Sequence, residues 1–394
     1  MDEINNNLMN DLIKWRRYLH QNPELSYMEV KTSQFIYDTL LTFGNLEVSR
    51  PTPTSVMAKL IGRHPGKIIA FRADIDALPI QETTELEYSS QNPGVMHACG
   101  HDGHTAMLLG TAKILSSVKD QINGEVRFIF QHAEEMTPGG AIEMIEAGVM
   151  EGVDCIYGIH LWSPLETGKI GICYGPMMGS PDSFSITING KGGHAALPHE
   201  TIDSITIGAQ VVNNLQHIVS RGTDPFENVV VTITHFSGGS KWHVIPGNAE
   251  INGNVRTINP KLRETMSGKI EKIIKGITEA HGATYEFKYS LGFDPVINDE
   301  SVTKVTEEIA REIFGDESIT RIKPVLAGED FSAYQKVAPG CFFFIGIGNE
   351  EKATNYPHHH PNFNIDEDTL GKGVEMFVAT TMKLLCNEKS YNLI

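Results

Sequence analysis

Lys67-Ile68-Ile69-Ala70-Phe71-Arg72-Ala73-Asp74-Ile75-Asp76 is the stretch from which the fold class can be read. Residues 67–73 form a short apolar run without the alternation of a half-solvated strand. They therefore read as a strand covered on both faces, and it ends in two aspartates. Around it the chain alternates strand-like and helix-like segments. Leu8, Leu12, Trp15 and Leu19 recur at helical spacing and predict a helix over 8–19, and a second covers 29–41. Asp102 is placed to cap a helix reaching Leu115, with Ala106, Leu109, Ala112 and Leu115 on one face. Strands are expected over 125–130 and 153–159, with a short helix over 141–147 between them. This rhythm predicts an α/β fold, a mostly parallel sheet with helices on both faces.

The pattern changes near Gly179. Residues 183–188 read as a strand, 203–219 as a helix, 228–235 and 249–258 as strands, 261–280 as a helix and 284–289 as a strand. That order, βαββαβ, is the split-βαβ arrangement of ferredoxin-like domains. Alternation then resumes with a helix over 302–314, a strand over 342–347 and a helix over 367–385. A chain of 394 residues exceeds one comfortable core. The expected organisation is a discontinuous domain of residues 1–180 and 291–394, with a second domain, 181–290, inserted into it.

Thirty-two basic residues against 49 acidic ones give a formal charge of −17, which argues against nucleic acid or an anionic membrane surface as a partner. The start, Met1-Asp2-Glu3-Ile4-Asn5-Asn6-Asn7, lacks the basic region and apolar run of a signal peptide. The greasiest stretch, residues 341–347, is strand-sized rather than membrane-spanning. Five scattered cysteines fit a reducing cytoplasm better than a disulfide framework.

The chemistry concentrates in His97-Ala98-Cys99-Gly100-His101-Asp102-Gly103-His104. Cys99 and His101, one residue apart, point to the same side of an extended segment. The Glu134-Glu135 pair and His160 each lie just beyond a predicted strand, and the triplet His358-His359-His360 follows the strand over 342–347. In open parallel sheets ligands bind at the carboxyl ends of strands, so residues distant in sequence can converge there. Cys99, His101, Glu135, His160 and one of the three last histidines supply five donors. Five is too many for one tetrahedral ion with a water and fits two divalent ions sharing a bridging ligand. A structural zinc site would use several cysteines, and this cluster has one. In an adjacent acid pair, one carboxylate can bind metal while its neighbour takes a proton from water. His97 and His104 flank the donors and orient the loop. Gly190-x-Gly192-Gly193 lacks the following residues of a nucleotide-binding loop.

Further signatures accompany these. They are Arg72-Ala73-Asp74-Ile75-Asp76-Ala77-Leu78-Pro79, Gln131-His132-Ala133-Glu134-Glu135, Gly158-Ile159-His160, Gly190-Lys191-Gly192-Gly193-His194-Ala195-Ala196-Leu197-Pro198-His199, Gly328-Glu329-Asp330-Phe331 and His359-His360-Pro361. Together, and over nearly the whole chain, they resemble the aminoacylase and carboxypeptidase-type metallo-amidohydrolases. The branch resembled includes hippurate hydrolases, plant auxin-conjugate hydrolases and N-acetyl-diaminopimelate deacetylases. The resemblance implies a zinc-exopeptidase-like catalytic domain and a lid and dimerisation domain. It implies Cys99 as the ligand bridging two metals, His101, Glu135, His160 and His359 as the others, and Glu134 as general base. The wider family has His-x-Asp as its first motif and an aspartate bridge; here Asp74-x-Asp76 and Cys99 stand at those places. Asp76 is then a partner of a ligand. His194 matches a histidine that reaches a neighbouring subunit's active site and stabilises the oxyanion. Arg256, with Asn254 on the same strand, is the candidate for capturing a substrate carboxylate.

The implied reaction is hydrolysis of the amide bond of N-acyl amino acids by water activated by two divalent ions. Zinc or manganese is expected, and cobalt and nickel tolerate the same donors. A dipeptidase or carboxypeptidase on the same site is the alternative. A non-catalytic metal-binding protein is the alternative of another class. The partners expected are a small N-acyl amino acid or short peptide and a second copy of the chain, a homodimer or larger homo-oligomer.

Overall fold

The computed structural model describes residues 2–386. The chain divides into two compact units. One comprises the described residues up to Gly175, Ile297–Lys323 and the described residues from Asp330 onward; the other comprises Pro176–Val296 and Pro324–Glu329. Among the described residues no helix is long and apolar enough to cross a membrane.

The first unit is mixed α/β around a large central sheet. Its eight strands run in the order Glu47–Ser49, Val56–Ile61, Asn123–Gln131, His64–Asp74, Cys155–Glu166, Gly340–Gly348, Ile170–Ile172, Ile319–Arg321. The four central strands are mutually parallel. Antiparallel pairing brings Val56–Ile61 onto Asn123–Gln131 and Ile170–Ile172 onto Gly340–Gly348. The apolar run that ends at Asp74 is buried from Ile69 onward, as a central strand covered on both faces must be. Phe71, Phe128, Tyr157, Phe343 and Ile345 join one continuous core.

The helix His101–Ser117 is buried on nearly every side, so the single apolar face expected of it is replaced by all-round packing. Helices Asp2–Gln21 and Leu370–Leu385 lie against it. Asp102 does not cap it. Gly100, at φ +90°, is the residue that turns the chain into the helix, a conformation open to glycine at no steric cost. The Asp102 carboxylate is instead buried against Arg16 Nε and His20 Nδ1, each at 2.8 Å.

The second unit carries a four-stranded antiparallel sheet in the order Val229–Ser237, Asn248–Thr257, Ser180–Asn189, Thr284–Ser290. Helices Ser204–Ser220 and Pro260–Ala280 cover its apolar face. Ile186, Ile188, Val211, Leu215, Ile251, Met266 and Ile270 form that core. Asp203 caps the first helix through Ile205 and Thr206 N–H groups, and Asn259 caps the second ahead of Pro260. The run Gly190-x-Gly192-Gly193 leads into the two-residue strand Gly193–His194, not into a helix. A Cβ at Gly190 would lie 2.2 Å from the Ile202 carbonyl oxygen, so close backbone approach explains that glycine.

Candidate metal centre

Parallel neighbours share a direction, so the four central strands of the first unit end along one edge. Asp74 closes His64–Asp74 and Asp76 follows it, and Glu134-Glu135 follow Asn123–Gln131. The histidine triplet comes after Gly340–Gly348. His160 lies inside its strand rather than beyond it, because Leu161 and Trp162 continue the pairing with Ile345 and Gly346. Gly158 stands opposite Arg72 and Gln131 opposite Asp74, so His160 is level with the aspartate all the same.

These residues converge. Cys99 Sγ is 3.5 Å from His160 Nε2, and His359 Nε2 is 3.2 Å from Glu135 Oε1. Donor atoms of Cys99, His101 and His160 all lie within 4.8 Å of one another. The same holds for Cys99, Glu135 and His359, and for His101, Glu134 and Glu135. Cys99 is common to the first two groups. The structure thus assembles Cys99, His101, Glu134, Glu135, His160 and His359 at one place, with all but His359 mostly buried.

The surrounding hydrogen bonds aim the donors. His101 Nδ1 lies 3.0 Å from the Asp76 carbonyl and 3.2 Å from its Oδ1. His160 Nδ1 donates to the Leu161 carbonyl at 2.7 Å. Each histidine thereby turns Nε2 toward the cluster, the arrangement that ligating imidazoles adopt. Asp76 Oδ2 accepts the Glu135 N–H at 3.0 Å and the Ser26 hydroxyl at 2.7 Å. One aspartate therefore positions two donors.

The electrostatics are those of a cation site. Burial opposes a charge on His101, but Asp74, Asp76 and Glu135 overcome it and raise the pKa to about 10. Burial, then Glu135, Glu134 and Asp74, push the Cys99 thiol well above its ordinary range, so a thiolate here requires a neighbouring cation. Burial, with His104 and His358 nearby, holds His160 well below the usual imidazole value, leaving it a neutral donor. His101 Nε2 and Glu135 Oε1 are buried without a hydrogen-bond partner among the described residues. Such orphans are costly unless something else satisfies them. A thiol, imidazoles and carboxylates that include two buried polar atoms without hydrogen-bond partners fit a borderline divalent ion.

His104 Nδ1 lies 2.6 Å from Asp74 Oδ1, and its Nε2 accepts the Leu161 N–H at 2.9 Å. His97 is buried outside the donor groups. Asp330, to which the sequence assigned no chemistry, takes Arg72 Nη2 and Gln131 Nε2 at 2.7 Å and the Ala141 N–H at 3.0 Å. Arg72 also holds Asp74 at 2.7 Å, so Asp330 braces the strand ends from behind. Ser26 and Glu29 escaped the sequence reading. Glu29 was expected to open a helix, yet its side chain makes no cap and reaches Ala133 instead.

His194, Asn254 and Arg256 belong to the second unit. His194 is exposed and its Nδ1 accepts the Ala196 N–H at 3.0 Å. Asn254 pairs with Ser183 and Thr232 in the sheet, and Arg256 Nη1 donates to the Leu326 carbonyl at 2.9 Å.

The chain is similar to known proteins over most of its length. The chain is 65% identical over 288 residues, 73% of its length and 78% of the relative's, to an N-acyl-L-amino acid amidohydrolase of Geobacillus stearothermophilus. It is 43% identical over 364 residues, 92% of each chain, to thermostable carboxypeptidase 2 of Saccharolobus solfataricus. A Bacillus subtilis crystal structure described as a dinuclear metal-binding peptidase of the M20 family superposes with a TM-score of 0.84 at 37% identity, covering 96% of this chain and 99% of that one. The family model of peptidase family M20/M25/M40 matches residues 70–383, a span that holds every candidate ligand. The chain belongs to peptidase family M20/M25/M40.

Proposed function

We propose that the chain is a metal-dependent amidohydrolase that cleaves the amide bond of N-acyl amino acids. The observation that carries the reading is the meeting of Cys99, His101, Glu135, His160 and His359, with His101 Nε2 and Glu135 Oε1 buried without a hydrogen-bond partner and Glu134 beside them. Those five residues would hold two divalent cations, zinc or manganese, with Cys99 shared between them; the dinuclear description of the Bacillus subtilis relative supports that number. When bound, such ions polarise a carbonyl and make water acidic enough to attack at neutral pH. Glu134 takes the proton of the attacking water and delivers it to the leaving nitrogen. Asp76 keeps His101 and Glu135 aimed while this happens.

The remaining assignments rest on the second unit. Its strand order and the two helices on one face support a ferredoxin-like lid over residues 181–290, inserted in a zinc-exopeptidase-like catalytic domain of residues 1–180 and 291–394. His194 of a second copy would stabilise the oxyanion. The Ala196 N–H on Nδ1 leaves the ring proton on Nε2, where it can be donated. Arg256 would bind the substrate carboxylate with Asn254 beside it. A homodimer through the lid fits the outermost position of Val229–Ser237 in its sheet and the exposure of Phe226 (95%) and Trp242. Five free cysteines fit a cytoplasmic location.

The carboxypeptidase name of the Saccharolobus relative favours a second reading, peptide hydrolysis on the same site. Turnover of N-acetyl, benzoyl and dipeptide substrates, with and without chelator, separates the two. Glu134→Gln is expected to keep its full complement of cations and lose about 10²- to 10⁴-fold in turnover. Full metal with near-native turnover would remove Glu134 as the base.

A further inference from the structure

Two residues near the site, Tyr27 and Ala133, hold left-handed backbone conformations without being glycine, at φ +66° and +52°. Both donate their N–H to the same atom. Glu29 Oε1 accepts from Tyr27 at 3.0 Å and from Ala133 at 2.8 Å. Glu29 is fully buried. Ala133 immediately precedes the acid pair, so its backbone direction sets where Glu134 and Glu135 begin. Three residues before Glu29, Ser26 donates at 2.7 Å to Asp76 Oδ2, the oxygen that also receives the Glu135 N–H. The loop carrying Ser26 and Glu29 therefore touches the acid-pair turn at two points, one direct and one through Asp76.

Left-handed conformations of ordinary residues persist only where surrounding contacts over-determine them, and they gather where a site needs a fixed geometry. Here one carboxylate oxygen is a restraint shared by both, and the Ala133 carbonyl also accepts the Gly140 N–H at 3.1 Å. We propose that Glu29 and Ser26 are positioning residues that hold the Ala133–Glu135 turn in the conformation able to bind a cation through Glu135 and present Glu134 to water. The inference rests on the metal-site reading above and names what enforces it. Neither residue touches a donor atom itself. Glu29 acts through the Ala133 backbone and Ser26 through Asp76.

The test is cation affinity, measured by competition of the purified chain with a chromogenic chelator for Zn²⁺ and Mn²⁺, alongside kcat and KM on an N-acyl amino acid. Glu29→Ala is expected to weaken the affinity about tenfold or more and to lower kcat with little change in KM. Glu29→Gln keeps an acceptor oxygen and is expected within about threefold of the parent. Glu29→Asp withdraws the oxygen by one methylene while conserving charge, and is expected to follow alanine; it serves if the alanine variant fails to fold. Ala133→Gly, which adopts the left-handed turn freely, is expected to restore part of the affinity lost in Glu29→Ala or Glu29→Asp, a rescue that a merely space-filling Glu29 would not permit. Parent-like affinity and kcat in a folded Glu29→Asp or Glu29→Ala variant would overturn the proposal. A parent chain that itself binds no cation would instead defeat the metal-site reading.

Discussion

His358 directs Nε2 to the Leu161 carbonyl at 2.9 Å and stacks on Trp162, and His360 accepts the Asn362 N–H on Nδ1 while stacking on Tyr356. His359 between them has the left-handed φ of +65°, and its own N–H is tied to the Ala98 carbonyl at 2.8 Å. That backbone turn separates its ring from those of its neighbours and brings Nε2 to Glu135. The three side chains are identical, so spacing alone left three choices; the resemblance singled out His359, and the partners of the three rings give the physical difference between them. His359→Ala is accordingly expected to weaken divalent-cation affinity about tenfold or more, whereas His360→Ala stays within about threefold. Chelator competition on the two variants checks this, and equal losses would show that the triplet acts as a unit.

At the scale of elements, the central strands were legible because burial on both faces leaves an unbroken apolar signature, as in residues 67–73. The three-residue strands Glu47–Ser49, Ile170–Ile172 and Ile319–Arg321 were not, since so short a segment becomes a strand only through its pairing partner. The candidate donors Glu134 and Glu135, just past a central strand, stood out for the same reason as the strands. Ser26 and Glu29 act across 50 and 104 residues of chain, and no local spacing encodes such a bond. Asp76 stands between these cases: Asp74-x-Asp76 at a strand end drew notice, but that one carboxylate serves both His101 and Glu135 emerges from the fold. Two donors lose their support together in Asp76→Ala, so the cation affinity is expected to fall about 10- to 100-fold, more than in Ser26→Ala, which leaves the carboxylate in place. Isothermal titration with Mn²⁺ compares them, and an Asp76→Ala affinity equal to the parent's would show that His101 and Glu135 hold their positions unaided.

For the whole molecule, the division into two units makes cation binding a local contribution to stability. Cys99, His101, Glu135, His160 and His359 all lie in the first unit, whose core includes Phe71, Phe128 and Phe343; the second has a separate core around Ile186, Leu215 and Ile270. A ligand that binds only the folded form stabilises it by mass action, about 2.7 kcal/mol at a hundredfold excess over the dissociation constant. For a unit of this size that corresponds to roughly 5–10 °C in melting temperature. A cation held there would also give His101 Nε2 a partner and offset the crowding of Asp74, Asp76 and Glu135. Differential scanning calorimetry with saturating Zn²⁺ or Mn²⁺, and again with excess chelator, is therefore expected to move the melting of the first unit by that amount and leave the second nearly in place. A scan in which no transition moves would contradict a cation centre in the first unit.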